Sequence, residues 1–414
     1  MEFHPLVYIG LLFILSQLGG RIAGQFHTPR VLGYLLAGLF FGPSMLGIFP
    51  ARVITEDLNI ITEIALAIIA FSIGGSLRIK EIRSLKWPIL WITFLQATAA
   101  ALFVLILMSF FLPGLVPPGE VEGGFLKGYL PIALAISALS AATAPAAVLS
   151  IIREYKAQGQ FTSVLLGVIA LDDALTLIFF AFALTIGKGL ISGQAADLTN
   201  ALLEPLGTVA LEMGIGAVIG LLLSSVVPFF TSRKALLGLT IGAIFLSGGI
   251  AVSLDLSPLL DTMVLGFVLI NLGGGRRNLE AFEVIEHIEE AVFGIFFALA
   301  GAHLQLAMLS KAIWLIILLT CGRFAGKYLG SMLGSYITGA PQAVRRYLGI
   351  ALLPAAGVTI GLMLEANAAY NPIHPKLCEI MVSAVVGATL INELLTPFLV
   401  RYALFRAGEA LIKH

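Results

Sequence analysis

The chain has 414 residues, 59% of them hydrophobic and only 12% charged, with a mean hydropathy of +1.01. A soluble domain carries about twice that share of charge, and the apolar residues here come in long blocks, so composition excludes a soluble enzyme or binding module and predicts an all-α polytopic membrane protein. Twenty-four basic residues balance twenty-four acidic ones, which argues against a nucleic-acid partner.

In chain order, thirteen apolar windows of about 20 residues read as membrane spans: 5–22, 31–49, 59–77, 88–112, 129–152, 161–186, 199–228, 235–252, 257–272, 286–305, 312–334, 344–367 and 377–399. The first follows "MEFHP", which has no Lys or Arg, and no small-residue cleavage site comes after it. It therefore reads as a retained span and not as a signal peptide. Lys and Arg give an independent test. Seventeen fall in the loops after odd-numbered spans and the tail, five (Arg52, Lys127, Lys188, Lys311, Lys376) in the alternate loops. Positive charge collects on the cytoplasmic side, so the N-terminus is expected outside and the C-terminus inside.

The two halves echo each other. "VLGYLL" (31–36) resembles "VLGFVL" (264–269), "GGSLRI" (74–79) resembles "GAHLQL" (301–306), and "APAAVLS" (144–150) resembles "LPAAGVT" (353–359). Each pair lies seven spans apart, an odd number, so the second copy is inverted in the bilayer, a recurring plan of secondary transporters.

Spans 5 and 12 carry mid-span prolines, Pro145 and Pro354, at equivalent places in the repeat, with Thr143, Ala144, Gly357 and Thr359 close by. A helix-interior proline lacks an N–H and clashes one turn back. The pairing favours two broken helices crossing at the midplane, with helix ends and freed carbonyls lining a site.

Span 6 places Asp172 and Asp173 about 18 Å along the helix, near mid-bilayer. A charge there costs at least about 2.5–3.5 kcal/mol, and the default reading is a site for a cation or a proton. Adjacent helical residues point about 100° apart, so one aspartate is free to face a structural partner while the other faces a cavity. Arg323 in span 11 lies at the same depth and is the expected partner, because guanidinium pairs bidentately with carboxylate and keeps its proton. Lys327, one turn on, either snorkels to the interface or serves as a second partner. Glu63 and Asp261 sit near outer span ends, where a solvated role is expected. Glu212 and Glu393 read as structural hydrogen-bonding groups. His287 and His303 read as helix-end residues, and Cys321 and Cys378 give neither disulfide framework nor metal spacing.

The chain resembles the monovalent cation:proton antiporters, in their NapA- and Kef-like branch. The residues that carry the resemblance are "PRVLGYLLAGLFFGPSMLGIF" (29–49), Glu63 in "ITEIALAIIAFSIGG", "SPLLDTMVLGFVLIN" (257–271), "FGIFFALAGAHLQL" (293–306) and above all "LDDAL" (171–175). The resemblance implies an NhaA/NapA-like fold of inverted repeats, a homodimer, and no cofactor beyond the transported Na+ (or Li+ or K+) and H+. It implies a core domain over about 59–186 and 286–399, moving as an elevator against a scaffold over about 1–58 and 199–272. On matching positions, Asp173 would be the cation- and proton-binding carboxylate and Asp172 its neighbour, paired with a basic residue of span 11. Thr143 would lie beside the ion.

Three departures qualify this. Electrogenic relatives carry Lys where Arg323 stands, so one-for-one, electroneutral exchange is expected here. The crossover reads Thr143-Ala144-Pro145 where another branch has Thr-Asp-Pro. No GxGxxG or nucleotide-binding domain follows span 13, so gating of the Kef kind is not expected. The expected mechanism is competition of cation and proton for one carboxylate. The alternative is a sodium-coupled solute symporter of the bile-acid type, which needs a larger organic-substrate cavity. A channel would lack coupled exchange. An intramembrane aspartyl protease needs a GxGD motif and a second midplane aspartate on another helix, and neither is present.

Overall fold

The computed structural model describes all residues except 1–2, 27, 51, 84, 116–120, 122, 194–197, 255, 257, 273–274, 304–312, 356 and 411–414, and within helices it leaves out the side chains of 55, 56, 59, 81, 82, 198–202, 204, 357, 358, 361 and 368. The end of the "GAHLQL" echo (304–306), Ala356 of "LPAAGVT" and Lys311 thus lie outside the described residues. The rest is helical: α1 (Pro5–Gln25), α2 (Arg30–Phe41), α3 (Asn59–Ser76), α4 (Lys86–Leu115), α5 (Leu130–Leu139), α6 (Pro145–Glu154), α7 (Gln160–Ser192), α8 (Leu198–Val226), α9 (Arg233–Ser253), α10 (Pro258–Asn271), α11 (Arg276–His303), α12 (Ile313–Ile337), α13 (Gln342–Ala351), α14 (Gly357–Tyr370) and α15 (Pro375–Ala407).

Each predicted span meets one helix or one broken pair. Span 5 is α5 and α6, and span 12 is α13 and α14. The two prolines act differently. Pro145 is the first residue of α6, where its missing N–H is no loss and its fixed φ favours a helix start. Pro354 lies inside the second break, ahead of α14. Span 2 is shorter than expected, since α2 stops before the Gly42-Pro43 pair. Span 10 is longer, because α11 begins with an acidic, basic and polar turn outside the apolar window. Large apolar side chains such as Ile106, Phe110 and Trp314 remain exposed on the outer helix faces, as lipid contact requires.

The helices pack in two groups: α4–α7 with α12–α15, and α1–α3 with α8–α11. The expected core domain included α3 and most of α11, which here pack with the second group. Glycines explain the difference. A Cβ at Gly74 would lie 1.8 Å from the Met263 carbonyl oxygen, and one at Gly266 2.1 Å from that of Phe71, so α3 and α10 touch backbone to backbone. Likewise a Cβ at Gly38 would lie 1.8 Å from the Ala298 oxygen and one at Gly301 2.0 Å from that of Leu35, fixing α2 on α11. Seven spans relate α2 to α10 and α3 to α11. The pair α2·α11 therefore maps onto α10·α3, and the reciprocal close approaches are the inverted repeat expressed in packing.

Candidate functional site

The two breaks cross. The Ala144 N–H donates to the Pro354 carbonyl at 3.0 Å, and the Thr143 hydroxyl reaches the Leu352 carbonyl at 3.4 Å. Helices α5 and α13 both end here, so their C-terminal carbonyls converge in a buried place, and a helix C-terminus attracts a cation. Two cations on α12 answer them. Arg323 donates from Nε to the Ser140 carbonyl at 2.9 Å and from Nη2 to the carbonyls of Ala142 and Pro354, the latter at 2.8 Å. Lys327 donates to the Ala141 carbonyl at 2.5 Å.

A stripe of glycines brings α12 this deep. Gly322, Gly326, Gly330 and Gly334 recur every fourth residue and so share one face. A Cβ at Gly326 would lie 2.4 Å from Ala100 Cα, and one at Gly330 2.5 Å from the Leu95 oxygen, both on α4. Small residues let membrane helices approach closely, and this approach sets Lys327 opposite Gln96 of α4.

Asp172 is saturated. Its Oδ2 accepts from Lys327 Nζ at 3.1 Å and from the Thr143 hydroxyl, and its Oδ1 accepts from Gln96 Nε2 at 2.5 Å. Lys327 also donates to Gln96 Oε1 at 3.0 Å and to Thr143 Oγ1 at 2.7 Å. Asp172, Lys327 and Gln96 are all completely buried. A buried ion pair holds only when further hydrogen bonds satisfy its remaining polar atoms, and Gln96 and Thr143 supply them.

This network corrects one expectation and decides between two alternatives left open for Lys327. The ion-pair partner of Asp172 is Lys327, and Arg323 is instead fixed on backbone carbonyls. Lys327 does not snorkel, because its ammonium is held inside by four acceptors. The two cations lie one turn apart, about 5.4 Å, and divide the work: the guanidinium fork fits several carbonyls, and the point-like ammonium fits a carboxylate within a compact cluster.

Asp173 differs from its neighbour in every respect. It is 7% exposed, and neither carboxylate oxygen has a hydrogen-bond partner. It senses the charges of Asp172 and Lys327 and, from the other helix group, that of Glu212, which is itself buried on α8. Thr143 Oγ1 is engaged by Asp172 and Lys327, whereas both oxygens of Asp173 remain available to ligate a cation. Among the described residues no three His, Cys, Asp or Glu side chains converge as a multivalent metal would need. Glu63, on α3 in the second group, contributes none of these hydrogen bonds.

Sequence reasoning found both aspartates, Thr143, the two breaks and both cations, and missed Gln96 and Glu212 as neighbours. The signal for Gln96 was a lone amide in the apolar run "WITFLQATAAALFV". On the side of the α6–α7 loop, a cleft of about 500 Å³ between the two groups is lined by Arg30, Tyr34, Glu154, Glu286, Glu289 and Glu290. Arg153 of α6 crosses it to Glu286 at 2.6 Å and Glu289 at 3.1 Å on α11.

Comparison with known proteins bears on this geometry. Residues 9–405 match the sequence family described as "Sodium/hydrogen exchanger, transmembrane". The probable Na(+)/H(+) antiporter GerT of Bacillus cereus is 24% identical over 383 residues, 87% of this chain and 93% of that protein. The Na(+)/H(+)-K(+) antiporter GerN of the same organism is 21% identical over 414 residues, 99% of each chain. The solved structure of the sodium proton antiporter MjNhaP1 from Methanocaldococcus jannaschii at pH 8 superposes with a TM-score of 0.74 at 17% identity, over 99% of each chain, a likeness of fold.

Proposed function

Because the chain belongs to the sodium/hydrogen exchanger family, we propose that it exchanges a monovalent cation for protons across the membrane and that Asp173 carries each in turn. One observation supports this most: Asp173 is buried with both oxygens unpartnered, beside an aspartate whose every oxygen is bonded. An unpaired buried carboxylate is costly, and a membrane protein keeps one where an ion passes. A hard monovalent cation binds the carboxylate only when it is ionised, and a proton binds only after the cation leaves. Na+ is the expected cation, with K+ or Li+ as competitors.

The helix group α4–α7 with α12–α15 carries Asp173 as a unit past the group α1–α3 with α8–α11, in an elevator movement. The second group also pairs two copies into a homodimer, and the N-terminus faces outside, in keeping with the distribution of Lys and Arg. The expectation of electroneutral exchange rested on an arginine beside Asp172. With Lys327 in that place the reasoning reverses, because an ammonium can release its proton when its carboxylate network changes. Exchange of more than one proton per cation, with net charge movement, is the reading the Lys327–Asp172 pair favours.

Proteoliposomes loaded with a pH dye test both parts. The wild-type chain should exchange Na+ for H+, faster when a potassium–valinomycin clamp lets charge flow. Its apparent cation KM should rise as pH falls, by up to about tenfold per unit below the carboxyl pKa. Asp173→Asn should reduce exchange to background. Retained exchange in that variant would remove Asp173 from the mechanism, and voltage-insensitive exchange by the wild type would restore the electroneutral reading.

A further inference from the structure

The crossover has a second polar face, which exchange at Asp173 does not use. A void of about 20 Å³ lies where α5, α12, α14 and α15 meet, and Ser140, Arg323, Thr359, Thr389 and Asn392 supply its polar wall. Arg323 is 3% exposed and Thr359 5% exposed. The Nη1 of Arg323 and the Oγ1 of Thr359 both lack a hydrogen-bond partner, although the other guanidinium nitrogens are bonded to the break carbonyls. Glu393, beside Asn392 on α15, is also buried, has an unpartnered Oε2 and lies within electrostatic range of Arg323.

Buried polar atoms of folded proteins are almost always bonded, to protein or to ordered water. The void exceeds the roughly 10–15 Å³ that one water requires and is too small for more than one or two. Charge narrows the occupant further. The fixed guanidinium repels a cation, and the Glu393 carboxyl close by disfavours an anion, so a neutral ligand that both donates and accepts is the match.

We infer that this void is a water-binding site in which one ordered water bridges Arg323 on α12 to Thr359 on α14. The water accepts from the Nη1–H of Arg323 and bonds the Thr359 hydroxyl, leaving a proton for a further acceptor on the wall. The second broken helix, already joined to α12 by the bond from Arg323 to the Pro354 carbonyl, is thereby tied to it again through water at Thr359. Spans 6 and 13 are seven apart, so Asn392-Glu393 lies on the helix that answers, in the inverted repeat, the one carrying Asp172-Asp173. The counterpart helix thus borders water beside a cation.

A cryo-EM map of the full chain fine enough to show waters at the crossover tests this. A peak within hydrogen-bond distance of both Arg323 Nη1 and Thr359 Oγ1 is expected, retained in Thr359→Ser and lost in Thr359→Val. Ala388→Val, which adds methyl groups to the same wall, should also expel it. X-ray hydroxyl-radical footprinting gives a second readout: Leu319 and Val385 on the wall should label more than Ile295 and Ile69, which are buried to a similar degree, and this excess should vanish in Thr359→Val. An empty void amid otherwise visible waters, with no excess labelling, overturns the inference. So does a peak that strengthens when chloride is replaced by bromide, which would assign an anion instead.

Discussion

Around the break at 140–144, a lysine, a glutamine and a threonine converge on Asp172 and close every bond, while Asp173 is left free. Around the break at 352–355, the Pro354 carbonyl is held by Arg323, which also reaches back to Ser140 and Ala142, and the pair on α15 is Asn392-Glu393. The repeat gives both halves the same crossing of broken helices, and what differs is the side chains that neutralise it. One half uses a cation that can release a proton and leaves a carboxylate available. The other is held by a cation that keeps its proton, and its buried carboxyl, Glu393, stands within electrostatic range of that guanidinium. Symmetry builds the frame, and its violation at a few side chains makes a site in one half only.

The largest expected effect is on the first half. Lys327→Gln leaves the Asp172 charge buried without a cation, and breaking such a pair costs about 3–5 kcal/mol. Thermal denaturation in detergent should show a steep loss of stability. The double variant Asp172→Asn with Lys327→Gln should regain most of it, since a neutral pair of similar shape is tolerated. If the double variant were as unstable as the single, the pair would not be the unit that holds this break. Arg323→Lys should have an intermediate effect, felt at both breaks. The charge remains, but an ammonium lacks the fork that reaches the Ser140, Ala142 and Pro354 carbonyls. About 1–3 kcal/mol should be lost, with the sodium KM unchanged because Asp173 is untouched. An equal loss from Arg323→Lys and Arg323→Gln would show that charge alone, without geometry, serves these breaks.

Much of the asymmetry was legible in the sequence, and the part that was not has a physical cause. Apolar runs, paired prolines and adjacent mid-span carboxylates each break a local rule, so Asp172, Asp173, Pro145 and Pro354 stand out without coordinates. Which cation meets Asp172 is a matter of one helical turn. That turn is set by how closely the glycines of α12 let it approach α4, a quantity no single span reveals. Gln96 was passed over because it carries no charge, yet in a dry interior an amide that both donates and accepts is what joins an ammonium to a carboxylate. The packing of α3 against α10 was hidden for a similar reason. Gly74 and Gly266 are almost two hundred residues apart, and only folding shows that they fix α3 on α10.

The smallest expected effect tests whether the site is confined to the crossover. Glu63 is the one acidic residue of the family-like stretch on α3, and a reading based on resemblance admits it to the ion path. It is half-buried, belongs to the helix group without Asp173, and lies near the start of its helix, away from the breaks. Glu63→Gln keeps the shape and hydrogen-bonding capacity of the side chain and removes only its charge. Stability should change by no more than about 0.5 kcal/mol, the scale of substitutions away from buried networks. Exchange should keep its rate, its cation KM and its pH dependence. A selective rise in cation KM with unchanged stability would place Glu63 on the route by which the cation reaches Asp173. The scaffold group would then contribute a ligand as well as a wall, and the contrast between the two breaks would no longer account for the site by itself.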